Sequence, residues 1–399
     1  MSKSSQKSFR GLPGGVWALG FVSLLMDTSS ELVHSLLPAF MYSVLGASMA
    51  TIGIIEGVAE ATAAITKVFS GALSDYLKKR KALAVVGYGL ATITKPIFPL
   101  ANHIGWVFAA RFTDRIGKGI RGAPRDALIA EITPGEQRGA AYGLRQSLDS
   151  VGAFIGPLLA VALMALLADR IRAVLWLAVI PAVLCVIVLV FGVHEPKDVV
   201  ENRKSSAPLT WRDAKRLPIV YWAIVLIGAV LSLARFSEAF LLLRAEGLGL
   251  AIGYVPVVMI VMNVVYASGA YPAGVMADRL SRRTCLILGL VPLVLADAVL
   301  AAAATPIVVL LGAALWGLHM ALTQGLLSKL VADTSPQELR GTAFGVFNLV
   351  SGVALLLASG IAGALWTAFG ASLTFITGGS FALIALIALL VYHPRSTPS

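Results

Sequence analysis

A ten-residue segment occurs twice in this chain, and the repetition confines the fold to one built of two like halves. Gly71-Ala-Leu-Ser-Asp75-Tyr-Leu-Lys78-Lys79-Arg80 returns as Gly274-Val-Met-Ala-Asp278-Arg279-Leu-Ser281-Arg282-Arg283. Asp75 and Asp278 lie 203 positions apart in a chain of 399 residues. Pro134-Gly-Glu136-Gln-Arg138-Gly139 then matches Pro336-Gln-Glu338-Leu-Arg340-Gly341 at an offset of 202. Two matched pairs at one spacing mark a duplication.

The medium of the fold follows from what lies between the repeats. Apolar residues make up 58% of the chain and charged ones 13%, against about 25% charged in soluble domains. Twelve apolar runs stand at roughly 15–44, 51–73, 82–101, 104–131, 139–168, 172–193, 217–243, 252–276, 284–302, 304–332, 342–369 and 371–392. A bilayer-crossing helix needs about 20 such residues, so the chain is expected to be an all-α membrane protein with twelve transmembrane helices. A duplicated array of spans implies transport. The first run follows a polar, basic head (Lys3, Lys7, Arg10) and is far longer than a signal-peptide core, so it reads as a retained helix.

The Lys and Arg bias orients the array. The head, Lys78–Lys81, the loop 194–217, Arg279–Arg283 and Arg395 fall on one side, whereas the loops near Gly46, His103, Ala303 and Gly370 carry almost no charge. Asp169, Arg170 and Arg172 are the exception. Both termini are therefore expected in the cytoplasm, and the protein in the cytoplasmic (inner) membrane as a multi-pass monomer. The formal charge of +11 reflects this topology and the anionic headgroups of the lipid bilayer, and implies no nucleic-acid partner. The loop 194–217 is the one long polar stretch, and reads as a linker between bundles at 1–193 and 218–399. Cys185 and Cys285 have no CxxC spacing and read as packing residues. The sequence contains no HExxH, GxSxG or P-loop, so an enzyme or ATP-driven pump has no motif to rest on, and no cofactor is expected.

Ionisable residues inside a span are costly and point to function. In the first run Asp27, Glu31 and His34 share one helical face, and two neighbouring carboxylates favour holding a proton. The fourth run carries Arg111, Asp114, Arg115, Lys118, Arg121, Arg125 and Asp126, with Arg111, Arg115, Lys118 and Arg125 in one column. Its excess positive charge must be met by Asp27, Glu31, Glu56, Glu60 and Asp149 (beside Arg145), or by an anionic substrate gripped by forked guanidinium groups. The second half is barer. Ala313 stands where the repeat would place Arg111, and polar candidates reduce to Arg235, Ser237, Glu238, Asn263, Tyr266, Trp316, His319, Gln324 and Asn348, a set suited to recognition in an apolar pocket.

With these residues in view, the repeat resembles the signature loop of the major facilitator superfamily between helices 2 and 3, with its copy between helices 8 and 9. Lys78 and Ser281 depart from the glycine usual before the basic pair. The resemblance covers essentially the whole chain and implies two pseudo-symmetric six-helix bundles working by alternating access. In such a loop, acid and bases at cytoplasmic helix ends form charge-assisted contacts that break as the halves rock. A cytoplasmic gate is thus expected from Gly71, Asp75, Lys79, Arg80 and Glu131, and from Gly274, Asp278, Arg282, Arg283 and Asp333. Glu131 should meet Lys79 or Arg80, and Asp333 should meet Arg282 or Arg283.

Gly143, Gly152 and Gly156-Pro157 resemble the helix-5 motif of the superfamily's antiporters, lacking its closing glycine. Arg111 matches the family's buried helix-4 arginine, associated in antiporters with proton coupling, although Arg115 replaces a usual glycine. The composite Asp114-to-Asp126 pattern looks like a bacterial branch of permeases for drugs, metals, siderophores or chelates. These resemblances imply proton-coupled efflux of a small organic solute or drug-like compound, with protons as coupling ion. Export of a divalent metal or chelate, with Asp27, Glu31, His34 and His319 as ligands, and transport of an organic anion are the alternatives. No resident metal site is assigned.

Overall fold

The computed structural model describes residues 11–77, 79–195, 214–336 and 339–391, without the side chains of 71–73, 75–77, 278, 282, 388 and 391. The basic head, Lys78, Glu338, Arg395 and most of the expected linker lie outside the described residues.

Every regular element among the described residues is a helix, because unpaired backbone groups find no water in hydrocarbon. All twelve apolar runs form helical segments. These are α1 (Gly14–Ala39), α2 (Met49–Leu77) and α4 (Ile104–Ile132), with α3 (Arg80–Leu100) between the last two. Next come α5 (Arg138–Leu166), α6 (Ile171–Gly192) and α7 (Ile219–Gly247). The series ends with α8 (Val257–Arg279), α9 (Arg282–Ala302), α10 (Pro306–Thr334), α11 (Arg340–Phe369) and α12 (Ala371–Val391). Among the described residues, nine helices are long and apolar enough to cross a bilayer, and α2, α4 and α12 are not among them. Helix α4 carries its charges at mid-length, α2 carries Glu56, Glu60 and Lys67, and α12 is apolar over Ala371–Ile387.

The duplication is visible in the backbone. Gly46 (φ 67°) follows α1 and Gly249 (φ 94°) follows α7, at the repeat's own spacing. Ala168 (φ 51°) and Asp169 (φ 57°) turn the chain between α5 and α6, and Gly370 (φ 87°) does so between α11 and α12. Three of these four left-handed turns use glycine, which has no Cβ to clash.

The chain divides into two compact units. Unit one holds Met1–Ala47, Val58–Lys215 and Ile252–Pro256, and unit two the remainder. The division departs from the boundaries read from the sequence at two short segments. Ser48–Gly57, the start of α2, groups with unit two, where Gly53 lies against the Ser359 carbonyl and a Cβ on Gly57 would stand 2.9 Å from the Leu356 oxygen. Ile252–Pro256 groups with unit one, where Gly253 lies against Asp169. Bare glycine backbone allows such close seating, which an apolar-run count does not register.

In unit one, α1 is the central post. Leu12, Val16, Leu19, Val22 and Met26 recur at helical spacing and are buried against α3, α4, α5 and α6. Unit two has an aromatic core, in which the Phe236 ring lies 5.5 Å from Phe240, 5.5 Å from Trp316 and 5.4 Å from Phe375. Arginines close equivalent helix ends in both units. Arg172 donates to the carbonyls of Pro99 (2.6 Å) and Ala101 (2.7 Å). Arg244 donates to those of Leu300 (3.2 Å), Ala301 (3.3 Å) and Ala303 (2.9 Å). Cations at helix C-termini satisfy leftover carbonyls and oppose the helix dipole.

Candidate functional site

Unit one contains a run of buried ion pairs centred on α4. Arg111, Asp114, Arg115 and Arg121 are buried because the face that carries them turns toward α1, α2 and α3. Glycines permit this. A Cβ on Gly87 of α3 would stand 2.8 Å from the Gly117 carbonyl of α4, and one on Gly119 would crowd Thr66 of α2. Four arginines of α4 and α5 are met by acids of unit one. Arg115 lies 3.3 Å from Glu60 on α2. Arg121 lies 3.8 Å from Asp27 on α1 and over the Tyr88 ring at 4.7 Å. Arg125 donates to Ser23 (3.0 Å) and lies 3.8 Å from Asp149. Arg145 of α5 pairs with Asp149 one turn on and lies 3.8 Å from Asp126. Glu31 takes His34 of its own helix as partner, at 3.5 Å.

The most deeply buried ion pair includes a residue outside the set drawn from the sequence. Lys95 of α3 donates to Asp114 at 3.0 Å and to Ser30 at 3.1 Å, with side-chain exposures of 2% and 5% for the ion pair. Its signal was a single base in the otherwise apolar run 82–101, followed by Pro96.

The helix-5 pattern divides in two. A Cβ on Gly152 would stand 2.6 Å from the Leu24 carbonyl and 3.1 Å from the Asp27 Cβ, and one on Gly156 would stand 2.8 Å from the Thr28 carbonyl and the Glu31 Cβ. These two glycines, with Pro157 buried beside them, therefore seat α5 directly on the acid-bearing stretch of α1. Gly143 is exposed, and a Cβ added there would meet nothing within 4 Å, so it takes no part in that seam.

At the positions where the sequence leads us to expect a gate, Arg80 lies 2.8 Å from Glu131, one of the two pairings expected of that acid. Lys79 is exposed. Lys81 instead caps α6, donating to the Val190 carbonyl at 2.8 Å. In unit two the corresponding cap falls to Arg283, which donates to the carbonyls of Leu389 and Leu390, both at 2.7 Å. Arg283 is thereby committed to α12 rather than to Asp333, which is exposed. The side chains of Gly71, Asp75, Asp278 and Arg282 are outside the described residues, and Gly274 has open space around it.

The other unit-two candidates separate into distinct places. Tyr266 donates to Gln324 at 2.9 Å, and both line a cavity of about 530 Å³ with Tyr271 and Lys329. His319 is buried on the Gly289 carbonyl at 2.7 Å. Trp316 is fully buried in the aromatic core. Helix α7 is interrupted at Arg235–Glu238, where the Ser237 N–H donates to Ser359 at 3.1 Å and Glu238 opens the second half of the helix. Asn263 and Asn348 are half-buried on α8 and α11. A second charge passed over in the sequence is Asp297 of α9, fully buried. Among the described residues no three His, Cys, Asp or Glu side chains converge as a metal site requires.

The sequence profile of the Major Facilitator Superfamily matches residues 19–262 and 239–399. The chain belongs to the Major Facilitator Superfamily. It is 32% identical to an uncharacterised MFS-type transporter of Methanocaldococcus jannaschii over 97% of each chain. It is 27% identical to the class C tetracycline resistance protein of Escherichia coli over 80% of this chain and 81% of that one. Among solved structures, a POT family transporter bound to a thioalcohol-conjugated peptide superposes with a TM-score of 0.79. That match covers 98% of this chain and 100% of the other at 13% identity, a likeness of fold alone. The protein is therefore an integral, multi-pass MFS transporter.

Proposed function

We propose that this MFS transporter exports a small organic solute in exchange for protons. The observation that carries this reading is the seat of α5 on α1, where Gly152 and Gly156 press backbone against the turns bearing Asp27 and Glu31. Backbone contact this close leaves no room for independent movement. Any shift of α5 must therefore carry α1 with it and move both acids against the bases of α4, Arg121 among them. Exchange of partners at a carboxylate is what couples a proton to a conformational change. The 27% identity to a tetracycline resistance protein supports an efflux role. Pairing of Arg115, Arg121 and Arg125 of α4 and Arg145 of α5 with internal acids favours a structural and coupling network over an organic-anion site.

The working form is a monomer with twelve crossings in the cytoplasmic membrane and both termini in the cytoplasm. The Arg80–Glu131 pair acts as a cytoplasmic latch, and Tyr266, Gln324, Asn263 and Asn348 contribute to solute recognition. In cells expressing the transporter, ethidium, norfloxacin and tetracycline should each be tested for accumulation, with and without a protonophore. At least one should accumulate less with the wild type, and more again with the protonophore or with Glu31→Gln. Equal accumulation with and without the transporter for every solute would remove the drug-efflux reading. Lowered accumulation that ignores both the protonophore and the variant would remove the coupling.

A further inference from the structure

The spacing of 202 that relates the repeats also relates α3–α4 to α9–α10, residue by residue. Gly87 packs on Gly117 in unit one, and Gly289 accepts from His319 in unit two. In the same register, Lys95 corresponds to Asp297 and Asp114 to Trp316. One buried locus therefore exists twice. In unit one it holds a complete ion pair, Lys95 on Asp114. In unit two the base is replaced by an acid and the acid by a tryptophan, so the pair cannot form.

Asp297 and Trp316 are both fully buried. Neither carboxylate oxygen of Asp297 and not the Trp316 Nε1 has a hydrogen-bond partner among the described residues. The Asp297 carboxyl lies over the bare backbone of α12, where a Cβ on Gly378 would stand 3.1 Å from Oδ2 and one on Gly379 3.1 Å from the Asp297 Cβ. The Phe236 ring covers the same spot, 2.9 Å from the Gly378 position.

Five ionisable groups on the surrounding helices and on α9 itself are held at other places. On α10, His319 is held by Gly289 and Lys329 by the Ala277 carbonyl. On α7, Arg244 is spent on the carbonyls of Leu300, Ala301 and Ala303, while Arg235 and Glu238 flank Phe236 at the helix break. Helix α8 brings Tyr266 (held on Gln324), Tyr271, Arg279 and Asp278, the last without a described side chain. On α9 itself, Arg283 is committed to α12 and Cys285 lies three turns away. The described residues of α12 include no ionisable side chain.

We propose that Asp297 is a proton-binding site in unit two, occupied in this conformation and emptied when the helices around it admit water. A lone carboxylate walled by the Phe236 ring and two glycines cannot remain charged without a partner. Nor can it replace the shell of six or more oxygens that a sodium- or calcium-like cation gives up. A proton needs only the one carboxyl. Release transfers that proton from Asp297 to water and leaves a carboxylate, which is stable only in a hydrated or re-paired state. Exclusion and admission of water then decide its occupancy. Its protonation stands on this geometry alone, while its role as the coupling site rests on the exchange reading above.

Infrared difference spectra of the full-length protein in lipid, wild type minus Asp297→Asn, read the protonation directly at neutral pH. The expected result is loss of a protonated-carboxyl C=O stretch in the variant. Loss of carboxylate bands instead would overturn the proposal. Should the variant fail to fold, wild-type protein treated with dicyclohexylcarbodiimide provides an independent reading by peptide mass spectrometry, since this apolar reagent attacks protonated carboxyls. Modification of Asp297, with Asp114 spared, supports the site; Asp297 unmodified after partial loosening in mild detergent counts against it. For the coupling role, proton flux driven by ethidium, citrate or Zn²⁺ should be lost in Asp297→Asn vesicles. If wild-type vesicles show no flux with any of the three while the infrared band persists, the exchange reading fails and the proton site stands.

Discussion

Removing the Lys95 ammonium should cost unit one more than removing the whole Lys95–Asp114 pair. The two groups are 3.0 Å apart with side-chain exposures of 2% and 5%. At an effective dielectric constant near 20 their gross attraction is about 5–6 kcal/mol, most of it offset by the cost of taking both charges out of water. The pair as a whole therefore contributes little net stability, and a lone Asp114 is what the fold cannot carry. Lys95→Met leaves the Asp114 carboxylate facing Arg115 at 3.8 Å as its nearest remaining base, and should destabilise by about 3–5 kcal/mol. For a unit of roughly 200 residues this is a fall in Tm of about 6–20 °C, at about 2–4 °C per kcal/mol. Lys95→Met combined with Asp114→Leu should recover most of that loss. Thermal unfolding of the three proteins in one detergent, followed by fluorescence, gives the comparison. Equal destabilisation of single and double variants would refute the argument, because it would mean that the pair contributes net energy rather than mutual neutralisation.

Gly156→Leu should abolish transport and destabilise by about 1–3 kcal/mol through overpacking, while Gly143→Leu, with nothing near it, should leave both unchanged in the same vesicles and melts. Glu131→Arg should slow transport by placing like charges 2.8 Å from Arg80, and the exchange Arg80→Glu with Glu131→Arg should restore most of the rate. Cys185, fully buried with its thiol on the Val22 carbonyl at 3.2 Å, should resist maleimide in the native protein and react once it is unfolded.

The fold was legible because hydropathy and repetition are properties of the linear chain. The twelve runs, the helices they form and the 202–203 spacing all survive into three dimensions, down to Gly46 and Gly249. The acid face of α1 and the Arg80–Glu131 contact were readable for the same reason, since helical spacing places the groups and the duplicated loop identifies them. Partner choice was less legible. Whether Arg283 faces Asp333 or the end of α12 depends on the length of α12, and no local pattern encodes it. Gly143 and Gly156 look alike in sequence, yet only one meets a neighbour, because contact depends on the rotation of α5. Lys95 and Asp297 escaped notice as single charges in apolar runs. Their significance lies in their equivalence, which appears only when the two units are compared position by position.

The most direct test of proton-coupled export is made in proteoliposomes with an imposed pH gradient, an internal pH dye and simultaneous measurement of solute. Ethidium, norfloxacin, tetracycline, citrate and Zn²⁺ are each added to wild type and to Glu31→Gln. Export by exchange predicts that at least one organic solute moves against a counterflow of protons, with the two fluxes proportional and both lost in the variant. Solute movement without proton flux, unchanged in the variant, would contradict it.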